Sequence, residues 1–137
     1  MVTKKHINDL SYKIIGYAIE VHKELGPGLL ESVYEKCLAH LLITNGHEVK
    51  RQQVVPVEFR GLYLDVDLRY DLLVDDLIIV ELKTVDAFHP VHEAKLLTYL
   101  KLLEKPKGIL INFNCTNIFK EGQKTLVTEY FRNLPKE

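Results

Sequence analysis

The sequence predicts an α+β (mixed α/β) domain with one small mixed sheet flanked by helices. Three observations carry this expectation. Two helix-periodic segments open the chain, strand-like segments follow them, and a third helix-periodic segment separates two strongly apolar runs. The order is helix, helix, three strands, helix, strand, with a further strand near the end. The 137 residues fit a single domain spanning the whole chain, 1–137, long enough to bury a core without disulfide or metal staples. At 47% apolar and 27% charged residues, the composition excludes disordered, collagen-like and mucin-like chains.

Each element has a local reason. Leu10, Ile14, Ala18, Val21 and Leu25 recur at helical spacing, which predicts a helix over residues 8–25. Gly26-Pro27-Gly28 stops it. Val33, Tyr34, Cys37, Leu38, Leu41 and Leu42 form the apolar face of a second helix, residues 30–44, ended by Asn45-Gly46. The period then becomes two. Val55, Val57 and Phe59 alternate with polar neighbours, Gly61 marks a turn, and Leu62, Leu64, Val66 and Leu68 continue as a strand with one wet face. Residues 71–74 continue that strand or follow a bend, Asp75-Asp76 is a turn, and residues 77–83 form a central, strongly apolar strand. His89-Pro90 precedes a third helix, residues 91–104, with Leu96, Leu97, Leu100 and Leu103 apolar. Residues 108–113 read as another buried strand and 125–131 as a last edge strand.

Charge and cysteine content limit the function classes. Lys and Arg number 18 against 19 Asp and Glu, a net charge of −1, so nucleic-acid binding requires a local patch or a bound cation. No apolar run approaches the ~20 residues of a membrane span, and no apolar stretch follows the basic N-terminus. The expectation is a cytoplasmic protein without a membrane partner. Cys37 and Cys115 are too few for a disulfide framework or a four-thiolate zinc site and are expected to be buried thiols.

The densest acidic cluster holds Asp65, Asp67, Asp71, Asp75, Asp76 and Glu81 against Arg69 alone. Asp75 and Asp76 are turn residues, easily solvated. Glu81 and Lys83 are two apart on one strand and share a face. A three-residue loop or one bulge at the turn sets Asp71 opposite Glu81 and puts Leu72, Val74, Ile78, Val80 and Leu82 on the other, wholly apolar face. Burial favours this register because it sorts polar from apolar. Two carboxylates with a backbone carbonyl suit Mg²⁺ or Mn²⁺, and a nearby lysine can orient a water and offset phosphate charge. The plain alternative is a cross-strand salt bridge to Lys83. Two other features stand beside this cluster. Glu31 opens a helix with Tyr34 one turn on, which a helix-dipole carboxylate also explains. His92, Lys95 and Tyr99 share a helix face, which a solvated surface also explains. His92-Glu93 lacks the second histidine of a zinc-protease helix, and Gly26-Pro27-Gly28 lacks the lysine and hydroxyl of a phosphate loop.

Gly28-x-x-Glu31-x-x-Tyr34, Asp71-Leu72-Leu73-Val74, Glu81-Leu82-Lys83, His89-Pro90-Val91-His92-Glu93-Ala94 and Gly108-Ile109-Leu110-Ile111-Asn112-Phe113, in that order, resemble the GxxExxY proteins, a branch of the PD-(D/E)XK nuclease superfamily. The resemblance covers residues 14–113. It implies a restriction-endonuclease-like core of helix, three antiparallel strands, helix and strand. It also implies that Asp71 and Glu81 hold a divalent metal and that Lys83 positions the hydrolytic water. Exonuclease-like branches add a glutamate from the first core helix, which matches Glu31. They carry a Gln-x-x-x-Tyr pair on the following helix; Tyr99 matches, but Lys95 stands in the glutamine position and cannot accept a hydrogen bond.

The function expected is therefore a metal-dependent nuclease that hydrolyses phosphodiester bonds of nucleic acid, DNA foremost. Asp71, Glu81, the Leu82 carbonyl and Glu31 would hold Mg²⁺ or Mn²⁺, with Lys83 at the water and His92, Lys95, Tyr99 and Tyr34 on the substrate side. Lys101, Lys105 and Lys107 would supply peripheral contacts. The alternative is a non-catalytic module that keeps the fold and binds nucleic acid or a partner, which Lys95 and the absence of net positive charge favour. A third reading is a homo-oligomer joined through residues 126–131.

Overall fold

The computed structural model describes residues 1–137. Helix α1 runs Lys4–Leu25 and starts before its apolar stripe does. Thr3 is the cause: its side chain accepts a hydrogen bond from the His6 N–H (3.1 Å), satisfying a donor the helix end leaves free. Helix α2 covers Glu31–Thr44 and buries Tyr34, Leu38, Ala39 and Leu42. The chain then forms β1 (Val49–Arg51), β2 (Val57–Phe59), β3 (Leu62–Leu64), β4 (Leu72–Val74) and β5 (Ile78–Lys83). Helix α3 (Pro90–Leu103), β6 (Lys107–Asn112), the short helix α4 (Ile118–Glu121), β7 (Gln123–Val127) and the single turn α5 (Glu129–Arg132) complete it.

The main sheet has the order β1-β4-β5-β6-β7. Strands β5 and β6 are parallel and joined through α3; every other pair is antiparallel. Between β4 and β5, Asp75 and Asp76 take positive φ (52° and 59°), and the Leu77 N–H closes the turn on the Val74 carbonyl at 3.0 Å. Leu77 is the extra residue, so Val74 faces Ile78, Leu73 faces Ile79 and Leu72 faces Val80, the register that burial favours. Leu72, Val74, Ile78, Val80 and Leu82 pack with Ile109 and Ile111 against α1 and α2. On the opposite face Leu73, Ile79 and Leu110 pack against Leu96, Tyr99 and Leu100 of α3.

Three expectations need correction. First, the alternating segment 55–68 is not part of the main sheet. β2 and β3 pair only with each other, and Phe59, Leu62 and Tyr63 are exposed, so their apolar face looks outward. The third antiparallel strand of the core is instead β1, whose Val49-Lys50-Arg51 carries no apolar alternation because an edge strand is paired on one side only. Second, the final strand stops at Val127. That residue pairs with Lys107, the first residue of β6; the Thr128 N–H still reaches the Pro106 carbonyl (3.0 Å), and the chain then turns into α5. Third, Cys37 and Cys115 are free but only half-buried, and the Cys115 thiol donates to the Asn112 carbonyl at 3.2 Å. No helix is long and apolar enough to cross a membrane.

Candidate metal centre

Glu81 lies near the end of the central strand β5, on the face that α3 covers, and is 5% exposed. Asp71 directly precedes β4. One step beyond the Leu72–Val80 pair, it stands beside Glu81 across the hairpin. The Leu82 N–H donates to Asp71 Oδ2 (2.8 Å), and Gln52 Nε2 donates to Asp71 Oδ1 (3.0 Å). Glu81 Oε1 is buried and has no hydrogen-bond partner. Burial first, and the adjacent Asp71 carboxylate second, push the Glu81 carboxyl up to about 9. A buried pair of like charges is costly unless a proton or a cation lies between them.

Lys83, two residues on, shares the face of Glu81 and is half-buried. Its carbonyl accepts the Phe113 N–H (2.9 Å). Just beyond, Asn112 clamps the chain: its Oδ1 accepts the Val85 N–H (3.1 Å) and its Nδ2 donates to the Val85 carbonyl (2.7 Å). The end of β5 is thus fixed against β6. The charges of Lys95 and Lys83 favour ionised Glu81 but are outweighed by its burial. Lys95 Nζ lies over the Tyr99 ring, 5.5 Å from its centre. The Tyr99 hydroxyl is buried and, like Glu81 Oε1, has no partner. His92 and His89 form a reciprocal cap on α3: the Val91 N–H donates to His89 Nδ1 (3.1 Å), and the His89 N–H donates to His92 Nδ1 (3.2 Å). Burial and the nearby Lys83 hold the His92 imidazole below its usual value.

Two predicted site residues stand elsewhere. Glu31 is exposed at the start of α2, where it accepts from the Thr84 hydroxyl at 3.4 Å. It does not join Asp71 and Glu81; nowhere in the molecule do three His, Cys, Asp or Glu side chains gather as a metal cluster. Tyr34 is fully buried rather than substrate-facing. Its hydroxyl donates to the Gly26 carbonyl (2.5 Å) and accepts the Leu29 N–H (3.1 Å), and its ring stacks on Phe113 at 4.3 Å. It therefore locks the turn in which Gly26 and Gly28 take positive φ (70° and 102°). Of the peripheral lysines, Lys105 is paired with Asp76 (2.8 Å), and Lys107 is buried and bonded to Asn8 (3.2 Å).

Sequence reasoning missed three residues beside Asp71. Glu35 of α2 is 6% exposed and bound by Arg51 Nε (3.2 Å) and Nη2 (2.9 Å). Gln52 bridges Glu35 and Asp71. The available signal was Glu35 itself, a charge set between Tyr34 and Leu38 on the buried side of a helix.

The Asp71–Glu81 pair fits a divalent cation. It offers hard oxygen donors, a buried oxygen without a partner and a mutual repulsion that a dication relieves. Magnesium ions are commonly held by one or two carboxylates with water completing the shell, so two suffice. The PD-(D/E)XK nuclease superfamily matches residues 8–125, a span that contains Asp71, Glu81 and Lys83. No curated protein and no solved structure matches significantly. Nucleases of this superfamily generally use divalent metals. With a five-stranded mixed sheet flanked by helices, the architecture is restriction-endonuclease-like, and the chain belongs to the PD-(D/E)XK nuclease superfamily.

Proposed function

We propose that the protein is a metal-dependent nuclease that hydrolyses phosphodiester bonds of nucleic acid, DNA foremost, and that it falls in the GxxExxY branch. One observation carries the reading: a carboxylate pair, half-buried Asp71 beside buried Glu81, with one Glu81 oxygen left without a partner. Asp71, Glu81 and the Leu82 carbonyl would hold Mg²⁺ or Mn²⁺, and Glu31 supplies a further carboxylate at the rim beside Thr84. When bound, the dication polarises the phosphate and offsets its charge. Lys83 orients the attacking water and stabilises negative charge as it grows on the phosphate. Lys95 and the free Nε2 side of His92 face substrate, while the buried Tyr99 supports Lys95 through its ring. Lys83 and Lys95 answer locally the charge problem that a net −1 poses. The branch assignment is supported by the turn lock, which gives Gly28 and Tyr34 their spacing and sets Glu31 at the helix start.

A second reading keeps the fold without catalysis. Lys95 favours it, because its ammonium lies over Tyr99 where the family has an amide that can both donate and accept. Purified protein incubated with linear, circular and single-stranded DNA and with RNA, in Mn²⁺ and in EDTA, separates the two. Cleavage in Mn²⁺ alone, reduced about a hundredfold or more in Lys83→Ala and in Asp71→Ala, supports the nuclease. Cleavage that persists in both variants, or metal binding without any cleavage, rejects it.

A further inference from the structure

Gln52 follows β1 and takes a φ of +52°, a left-handed conformation that non-glycine residues adopt only when their surroundings hold them there. Its backbone is held on both sides. The Gln52 N–H donates to the Asp71 carbonyl (3.0 Å), and Arg69 Nη1 donates to the Gln52 carbonyl (2.8 Å). The result aims the side-chain amide between two acids: Nε2 donates to Glu35 Oε1 (2.5 Å) and to Asp71 Oδ1 (3.0 Å). Arg51 takes the other Glu35 oxygen, so this third carboxylate is neutralised and adds no net charge beside Asp71 and Glu81.

We propose that Gln52 is the positioning residue for Asp71, with Glu35 and Arg51 as its anchor; the inference rests on the metal-site reading above. The amide at Oδ1 and the Leu82 N–H at Oδ2 fix both oxygens of Asp71 and stop the carboxylate from rotating. Each oxygen keeps a second lone pair for a cation. A neutral donor suits this place better than arginine or lysine, because it orients the carboxylate without cancelling the charge the dication needs. The strained backbone serves the same end, since a relaxed residue 52 would carry its amide elsewhere.

Gln52→Gly separates the side chain from the backbone. Glycine keeps both main-chain hydrogen bonds and accepts positive φ freely, so only the amide is lost. Calorimetric titration with Mn²⁺ and a melting curve in EDTA are measured on the parent, on Gln52→Gly and on Asp71→Asn. The expected result is Mn²⁺ affinity about tenfold weaker or more in Gln52→Gly, with a cooperative melt in EDTA lowered only by the cost of the unpaired Glu35 oxygen, and no binding by Asp71→Asn. Parent-like affinity in Gln52→Gly, with Asp71→Asn silent, overturns the positioning role and leaves the metal site standing. So does a loss of affinity that comes only with loss of the cooperative melt. Absence of Mn²⁺ binding in the parent, or parent-like binding in Asp71→Asn, overturns the metal reading and this inference with it.

Discussion

Glu81 is held where its charged form is disfavoured, and that has a signed consequence. The unfolded chain gives up this proton near 4.5 and the folded chain only near 9, so stability falls as pH rises between those values in the absence of a divalent cation. Glu81→Gln removes both the proton and the repulsion from Asp71. In EDTA it is expected to be about 1–2 kcal/mol more stable than the parent at pH 8, with the gap closing toward pH 5. Thermal denaturation at the two pH values checks this, and a gap independent of pH contradicts it. Tyr34 makes the opposite case. Tyr34→Phe leaves the Leu29 N–H and the Gly26 carbonyl without their partner, so a loss of about 1–2 kcal/mol is expected. Its Mn²⁺ affinity should stay that of the parent, because the hydroxyl belongs to a turn and not to the metal site.

Among the elements, α3 depends on the smallness of Gly108 in β6. A Cβ there would sit 2.9 Å from Leu96 Cγ and Cδ1 and 3.0 Å from Leu100 Cδ1. Gly108→Ala is therefore expected to cost about 1–3 kcal/mol by forcing α3 off the sheet. Since Lys95 and Tyr99 ride on α3 while Asp71 and Glu81 do not, cleavage should fall further than Mn²⁺ affinity, as parallel assays would show. The β4–β5 register was legible in the sequence because this pairing sorts Leu72, Val74, Ile78, Val80 and Leu82 onto a dry face and a slip of one residue scatters them. β1 was not, because a three-residue edge strand writes no period. The β2–β3 alternation was real, but alternation says that one face is apolar, not that the core covers it. The pairing of Asp71 with Glu81 follows from the register, whereas the Gln52 bridge joins residues 17 and 19 positions apart through a backbone conformation that residue type does not announce.

At the scale of the molecule, the parts assemble around one end of the sheet. β4 and β5 bring the two acids together, Asn112 and Phe113 pin the end of β5, and α3 lays Lys95, Tyr99 and His92 on the same side. The starts of α2 and α3 lie at that end as well, one touching Thr84 through Glu31 and the other near Lys83 through His92, so their dipoles favour an anion there. In a protein of net charge −1, Lys83 and Lys95 thus stand beside the acidic pair. Anomalous diffraction from crystals soaked in Mn²⁺ tests the account most directly. The account predicts a manganese peak between the Asp71 and Glu81 carboxylates with the Leu82 carbonyl in its shell. No peak at that position, with the two carboxyl groups sharing a proton under saturating Mn²⁺, would contradict it.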